Sequence, residues 1–230
     1  MIRGLDNNSI GYLHTVLIRL ALFCLDCKTS YSIFLESLNQ LRKLPPSADN
    51  NPNYMEGLKD YNKMRKHNSS LNRVALNSFI ISCADISKIV WPFIDQGMKD
   101  KDKLRRRQIR KDELENMFTD SYPNLRNKDF RNFLEHSDDE LDEWNENNKT
   151  DGISFNSFGS PSSFGENITL FTHFDPITFD ITYYHKDKGS ETANIKEMYQ
   201  EMELLHKEIP KALGQLSNTP ESQFDFVLDK

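Results

Sequence analysis

The chain has 230 residues, 37% of them hydrophobic and 28% charged, with a formal net charge of −6. That suffices for one sizeable domain, or one domain with an appendage, and is too apolar for a disordered polymer. The acidic balance excludes a protein that coats nucleic acid non-specifically, while a local basic site remains compatible with it, because phosphate affinity follows local charge.

The first predicted element runs from about Ser9 to Leu44, where Leu13, Val16, Leu17, Leu20, Phe23, Ile33, Phe34, Leu38 and Leu41 recur at helical spacing. Its opening, Ile10–Leu25, has the apolarity of a signal sequence or a membrane span. It nevertheless carries His14 and Arg19, is short for a span and is followed by no small-residue cleavage site. It reads as a buried helix of a soluble, cytoplasmic protein with no membrane partner. Cys24, Cys27 and Cys83 are an odd count, as expected in a reducing compartment, and C-L-D-C lacks the second ligand pair of a zinc site.

Pro45–Pro46 closes this element, and S-A-D-N-N-P-N reads as a loop. A second helix is predicted over about Ser70–Val90, with Leu71, Val74, Ala75, Ile81, Ala84 and Ile89 on its apolar stripe and W-P at 91–92 as its stop. The stretch Asp100–Lys111, D-K-D-K-L-R-R-R-Q-I-R-K, is the one strongly basic run and opens a third helix reaching about Phe118. It reads as a solvated face, or as an approach surface for RNA made by Lys103, Arg105, Arg106, Arg107 and Arg110. A fourth helix spans about Asn127–Asn147, which makes residues 1–150 a helical bundle.

Residues 151–166 are rich in Ser, Gly and Phe, as in a loop or flap. The segments Ile168–Phe174 and Phe179–His185 flank D-P-I-T and signal a β-hairpin, and a helix from about Asn194 to Leu216 follows. Hairpin and helix, residues 167–216, are appended to the bundle, and 217–230 form a tail. His173 and Asp175 share a strand face near His185, but nothing specifies further ligands, so no metal and no cofactor is assigned.

The chemistry concentrates in the fourth helix, R-N-F-L-E-H at 131–136. On a helical wheel Phe130, Phe133, Leu134, Leu141 and Trp144 collect on one side. Arg131 and His136 lie on opposite flanks of that stripe, about 140° apart, so they do not meet within one helix. Pairing of Arg131 with Glu135 is the simpler account of the same letters.

The segment resembles the R-x4-6-H signature of the HEPN superfamily, in which a polar residue, here Asn132, commonly follows the arginine. It is similar also to uncharacterised bacterial proteins carrying R-N-H-L-E-H-F-D-E-R-L-D-x-W, from which it departs at Phe133, Ser137, Asp139 and Glu140. The resemblance implies a mainly α fold: a HEPN-like helical bundle with a C-terminal β-hairpin and a final helix. It further implies a homodimer in which two motifs face each other, acting as a metal-independent endoribonuclease, often as a toxin or phage-defence effector with an antitoxin or regulatory protein as partner. Other members keep the fold without catalysis and serve as dimeric binding modules. In the active version His136 moves a proton of the RNA 2′-hydroxyl, Arg131 steadies phosphate charge and Asn132 orients the phosphate or the imidazole.

Overall fold

The computed structural model describes residues 5–47, 53–135, 141–142, 144, 146, 157–158, 171–185 and 187–217. The fold is mainly helical, with a small antiparallel sheet and a final helix. Helix α1 (Asn7–Leu41) starts where the Asp6 carboxylate accepts from Ser9 N at 2.7 Å, an ordinary N-cap. Helix α2 (Tyr54–Val90) runs back along it: Asn72 Nδ2 donates to Phe34 O at 3.0 Å and to Ser37 Oγ at 2.9 Å, while further along α2 the Cys83 sulfur lies 3.7 Å from that of Cys27. Leu13, Leu17, Leu20 and Phe34 of α1 and Phe79, Ile86 and Val90 of α2 fill the seam. An 18-residue window of α1, mean hydropathy 1.6, is long and apolar enough for a membrane by composition alone, yet this helix packs on α2 and the last helix.

Helix α2 begins at Tyr54, well before the expected Ser70. The added stretch, Y-M-E-G-L-K-D-Y-N-K-M-R-K-H-N-S, has no continuous apolar stripe, but Met, Glu, Lys and Arg are good helix formers and the helix there is largely solvated. Two expected core residues of α2, Val74 and Ile81, are on its solvent face, 61% and 58% exposed. The inward stripe is Asn72, Ala75, Leu76, Phe79, Ile80, Cys83, Ile86 and Val90.

Helix α3 (Lys101–Met117), capped by the Asp100 carboxylate on Lys103 N, buries Leu114 and leads through Phe118, Tyr122 and Leu125 to α4 (Lys128–Glu135). Leu141, Asp142, Trp144 and Glu146 are helical as well. The sheet has the order β1 (Ser157–Phe158), β2 (Thr172–Phe174), β3 (Asp180–His185), β4 (Gly189–Asn194). Strands β2, β3 and β4 are antiparallel, with Phe174 opposite Ile181 and Ile181 opposite Ala193; β1 adds a two-residue parallel edge. The expected two-strand hairpin is therefore a three-strand meander. G-S-E-T-A-N lacks apolar alternation because only Ala193 of this edge strand is buried. Of the expected loop 151–166 only Ser157 and Phe158 are described, and they pair with His173 and Phe174; its remainder and residues 218–230 of the tail lie outside the described residues.

Helix α5 (Ile195–Ser217) buries Met198, Met202, Leu205, Ile209 and Leu213. Tyr199 stacks on Tyr31 of α1 with centroids 4.0 Å apart, and Phe34 meets Phe174 edge-on at 5.3 Å, so α5 and the sheet close over α1. The α4 stripe behaves as its period predicts: Phe130 lies 5.1 Å from Tyr183, Phe133 lies 5.3 Å from Phe171 and 5.1 Å from Tyr183, and Trp144 lies 5.7 Å from Phe171. This aromatic layer fixes α4 on the sheet and thereby sets where Arg131 projects.

Candidate functional site

Helix α4 is opened by Asn127, whose Oδ1 accepts from Asp129 N and Phe130 N, both at 3.1 Å. With Phe130 and Phe133 committed to the sheet, Arg131 is carried toward the end of α2. It is not on an open flank: Arg131 is 8% exposed, and its Nη1 donates to Trp91 O at 3.5 Å. That bond is long, and among the described residues no carboxylate pairs with this guanidinium. Asn132 is exposed, whereas His136 lies outside the described residues.

Arg131 has company. Arg107 Nη1 donates to Phe93 O at 3.1 Å, and Arg110 Nη2 donates to Lys88 O at 3.2 Å. The Arg126 guanidinium sits 5.9 Å from the centroid of the Trp91 ring and pairs with Glu115 at 3.2 Å. Four arginines from α3, the following loop and α4 thus surround residues 88–93. The local physics is clear. A helix C-terminus leaves carbonyls without intrahelical donors and carries a partial negative charge, and guanidinium groups satisfy both.

Two arginines of the expected RNA-contact set also serve the fold. Arg107 and Arg110 each commit a donor to the backbone and are half-buried, so they hold α3 against α2 before anything else. Arg105 faces Asp6 at 3.9 Å, an exposed pair of little energetic weight. Lys103 and Arg106 are exposed. By helical geometry Lys103, Arg106, Arg107 and Arg110 share one side of α3.

Below Arg131 a small cleft opens between α2, α4 and the 124–127 segment, lined among others by Ser87, Asn124, Asn127, Arg131 and Leu134. Its interior has room for about one water-sized group, so it admits a single polar atom of a ligand and not a nucleotide. Ser87, 2% exposed, has a hydroxyl with no hydrogen-bond partner among the described residues.

Asn124 on the cleft wall is held from α5. The buried Glu201 carboxylate accepts from Asn124 N at 3.1 Å, Asn124 Nδ2 at 2.7 Å and Leu125 N at 2.8 Å. Glu201→Ala should lower stability by about 2–3 kcal/mol, since it strands buried backbone donors, and denaturant unfolding at neutral pH measures it. Sequence reading missed Glu201 and Ser87. Both occupy core-facing positions of their helices by the 3.6 period, Glu201 between Met198 and Leu205 and Ser87 between Cys83 and Val90, and that placement was the available signal.

His173, Asp175 and His185 are not gathered. His173 is paired across the sheet with Thr182, Asp175 Oδ1 accepts from Ile177 N at 2.8 Å in the β2–β3 turn, and His185 Nε2 lies 3.8 Å from Asp129, which also pairs with Lys188. Among the described residues no group of three or more His, Cys, Asp or Glu is placed to hold a metal ion. The three thiols are buried, and burial pushes those of Cys24 and Cys83 well up, which keeps them protonated and unreactive.

No family model matches the chain, and no curated protein or solved structure is similar to it at a significant level.

Proposed function

We propose that this protein is a HEPN-like endoribonuclease that acts without a metal, in the cytoplasm, as a homodimer, in the manner of a toxin or phage-defence effector held in check by a second protein. The observation that carries the reading is Arg131: a guanidinium almost wholly buried, with one long bond to a carbonyl and no carboxylate partner among the described residues, inside a cluster of arginines. Its remaining donors suit a phosphate oxygen, which a planar fork binds better than an ammonium does.

In this reaction the 2′-oxygen attacks the adjacent phosphorus, the bond from phosphorus to the 5′-oxygen breaks, and a 2′,3′-cyclic phosphate and a 5′-hydroxyl result. An imidazole titrates near neutral pH and is suited to take the 2′-proton and to return it to the leaving 5′-oxygen, the role assigned to His136. Arg131 offsets charge on the phosphoryl oxygens, and Asn132, exposed beside it, orients one of them. Because the cleft takes only one polar atom, the RNA lies across the surface at the α2–α4 junction with a single phosphate oxygen dipping toward Arg131.

The second reading is a non-catalytic dimeric module that binds a partner protein or a regulatory ligand. The bond from Arg131 to Trp91 O favours it, because an arginine that caps α2 needs no further role. The test is purified protein on total RNA in the presence of a chelator. Cleavage leaving cyclic phosphate ends, lost in His136→Ala, is the expected result. Equal behaviour of wild type and His136→Ala, both in this assay and in growth toxicity, leaves the binding module as the function.

A further inference from the structure

Beside the arginine cluster, the loop between α2 and α3 holds a large apolar ring in solvent. Phe93 is 68% exposed, whereas Trp91 and Pro92 before it are buried. The loop is tied on both sides of the ring. Arg107 donates to the carbonyl of Phe93 itself, Arg131 donates to that of Trp91, and a turn follows in which the Asp95 carboxylate accepts from Gly97 N at 2.8 Å and Met98 N donates to Asp95 O at 3.1 Å.

The surroundings are basic. From Lys99 to Lys111 the chain has eight lysines and arginines against Asp100 and Asp102, a local excess of six in a protein of net charge −6. Of these, Lys99, Lys101, Lys103, Arg105 and Arg106 are exposed. Asp100 is occupied as the cap of α3. A tethered aromatic ring at the edge of an exposed basic helix face combines a stacking platform with backbone-tracking charge.

We propose that Phe93 and the exposed basic side chains at the start of α3 form a binding surface for single-stranded RNA, with Phe93 stacking on an unpaired base. The inference rests on the RNase reading and narrows its substrate class. Duplex RNA keeps its base faces inside the helix and offers Phe93 nothing to stack on, so charge alone would act there. The bound strand then runs from Phe93 across the end of α2 toward Arg131, because both residues are tethered to the same six-residue segment, 88–93.

The experiment is fluorescence anisotropy with a labelled single-stranded RNA, the same sequence as a duplex, and anionic phosphatidylserine vesicles, using the full chain with His136→Ala to prevent turnover. The expected result is binding of the single strand that weakens about tenfold in Phe93→Ala and is restored in Phe93→Trp, with duplex binding weaker and insensitive to either change. Unchanged thermal unfolding of Phe93→Ala confirms that a solvent-exposed ring was removed without harm to the fold. Single-strand binding equal in wild type and Phe93→Ala overturns the stacking role while leaving the RNase reading intact. Binding of vesicles but of neither RNA overturns the surface as an RNA site, and absence of any RNA cleavage by the unmutated chain sinks the RNase reading separately.

Discussion

Phe133→Ala should destabilise the protein by about 3–4 kcal/mol, read as a lower denaturant midpoint at unchanged slope. Phe133 is 4% exposed and its ring contacts both Phe171 and Tyr183, which in turn contact Trp144 and Phe130. Removing it opens a cavity between α4 and the sheet that a small methyl cannot fill, and forfeits two ring pairs worth about 0.5–1.5 kcal/mol each beyond their buried area. The effect propagates to the site, because this layer is what aims Arg131 at the end of α2. If the protein cleaves RNA as proposed, cleavage in Phe133→Ala should therefore fall even at temperatures where the protein stays folded. A loss below about 1 kcal/mol would mean that α4 is not seated on the sheet as described.

Much of this layer was legible in the sequence because α4 is strongly amphipathic and its aromatics repeat with the helical period. The same logic placed most of the α1 core, although Ile33 is exposed, and the W-P stop of α2. It failed where burial and hydrophobicity part company. Val74 and Ile81 are apolar but sit outside the seam, and their positions are off the stripe that Asn72 and Ser87 share with Phe79, Cys83 and Val90. A polar residue on a core stripe reads as a flaw in a pattern until a partner is seen, as Asn72 finds in Phe34 and Ser37. Strand β4 has no apolar alternation to find, since only one of its residues is buried.

The site was legible in part. Asn132, read as the polar residue after the arginine, is exposed. Arg131 was expected on an open flank because the wheel of one helix cannot show what a second helix brings against it; the end of α2 covers that flank. The convergence of Arg107, Arg110, Arg126 and Arg131 on residues 88–93 joins positions up to 40 apart in sequence and no local pattern encodes it. Glu201 is similar: its partners, Asn124 and Leu125, are more than 70 residues away.

Burial changes what substitution of Arg131 should do. On an open flank, alanine would cost about 0.5 kcal/mol, as for most surface changes. Beneath the end of α2, it removes a packed aliphatic stem and a donor to Trp91 O, so a loss of about 1–2 kcal/mol is expected. Lysine keeps the charge and most of the stem but not the planar fork, and should recover most of the stability. Catalysis should separate from this. If Arg131 offsets charge on the phosphoryl oxygens, alanine should lower cleavage by at least about 100-fold per folded molecule, and lysine should recover only a part, because the second hydrogen bond to phosphate is lost. Cleavage rates normalised to the folded fraction, measured alongside unfolding midpoints for both variants, distinguish the two roles. Stability and cleavage recovering together in Arg131→Lys would identify the residue as a cap for α2 alone. Stability recovering while cleavage stays low would identify a guanidinium whose second task is to hold phosphate, with the long bond to Trp91 O as its resting partner.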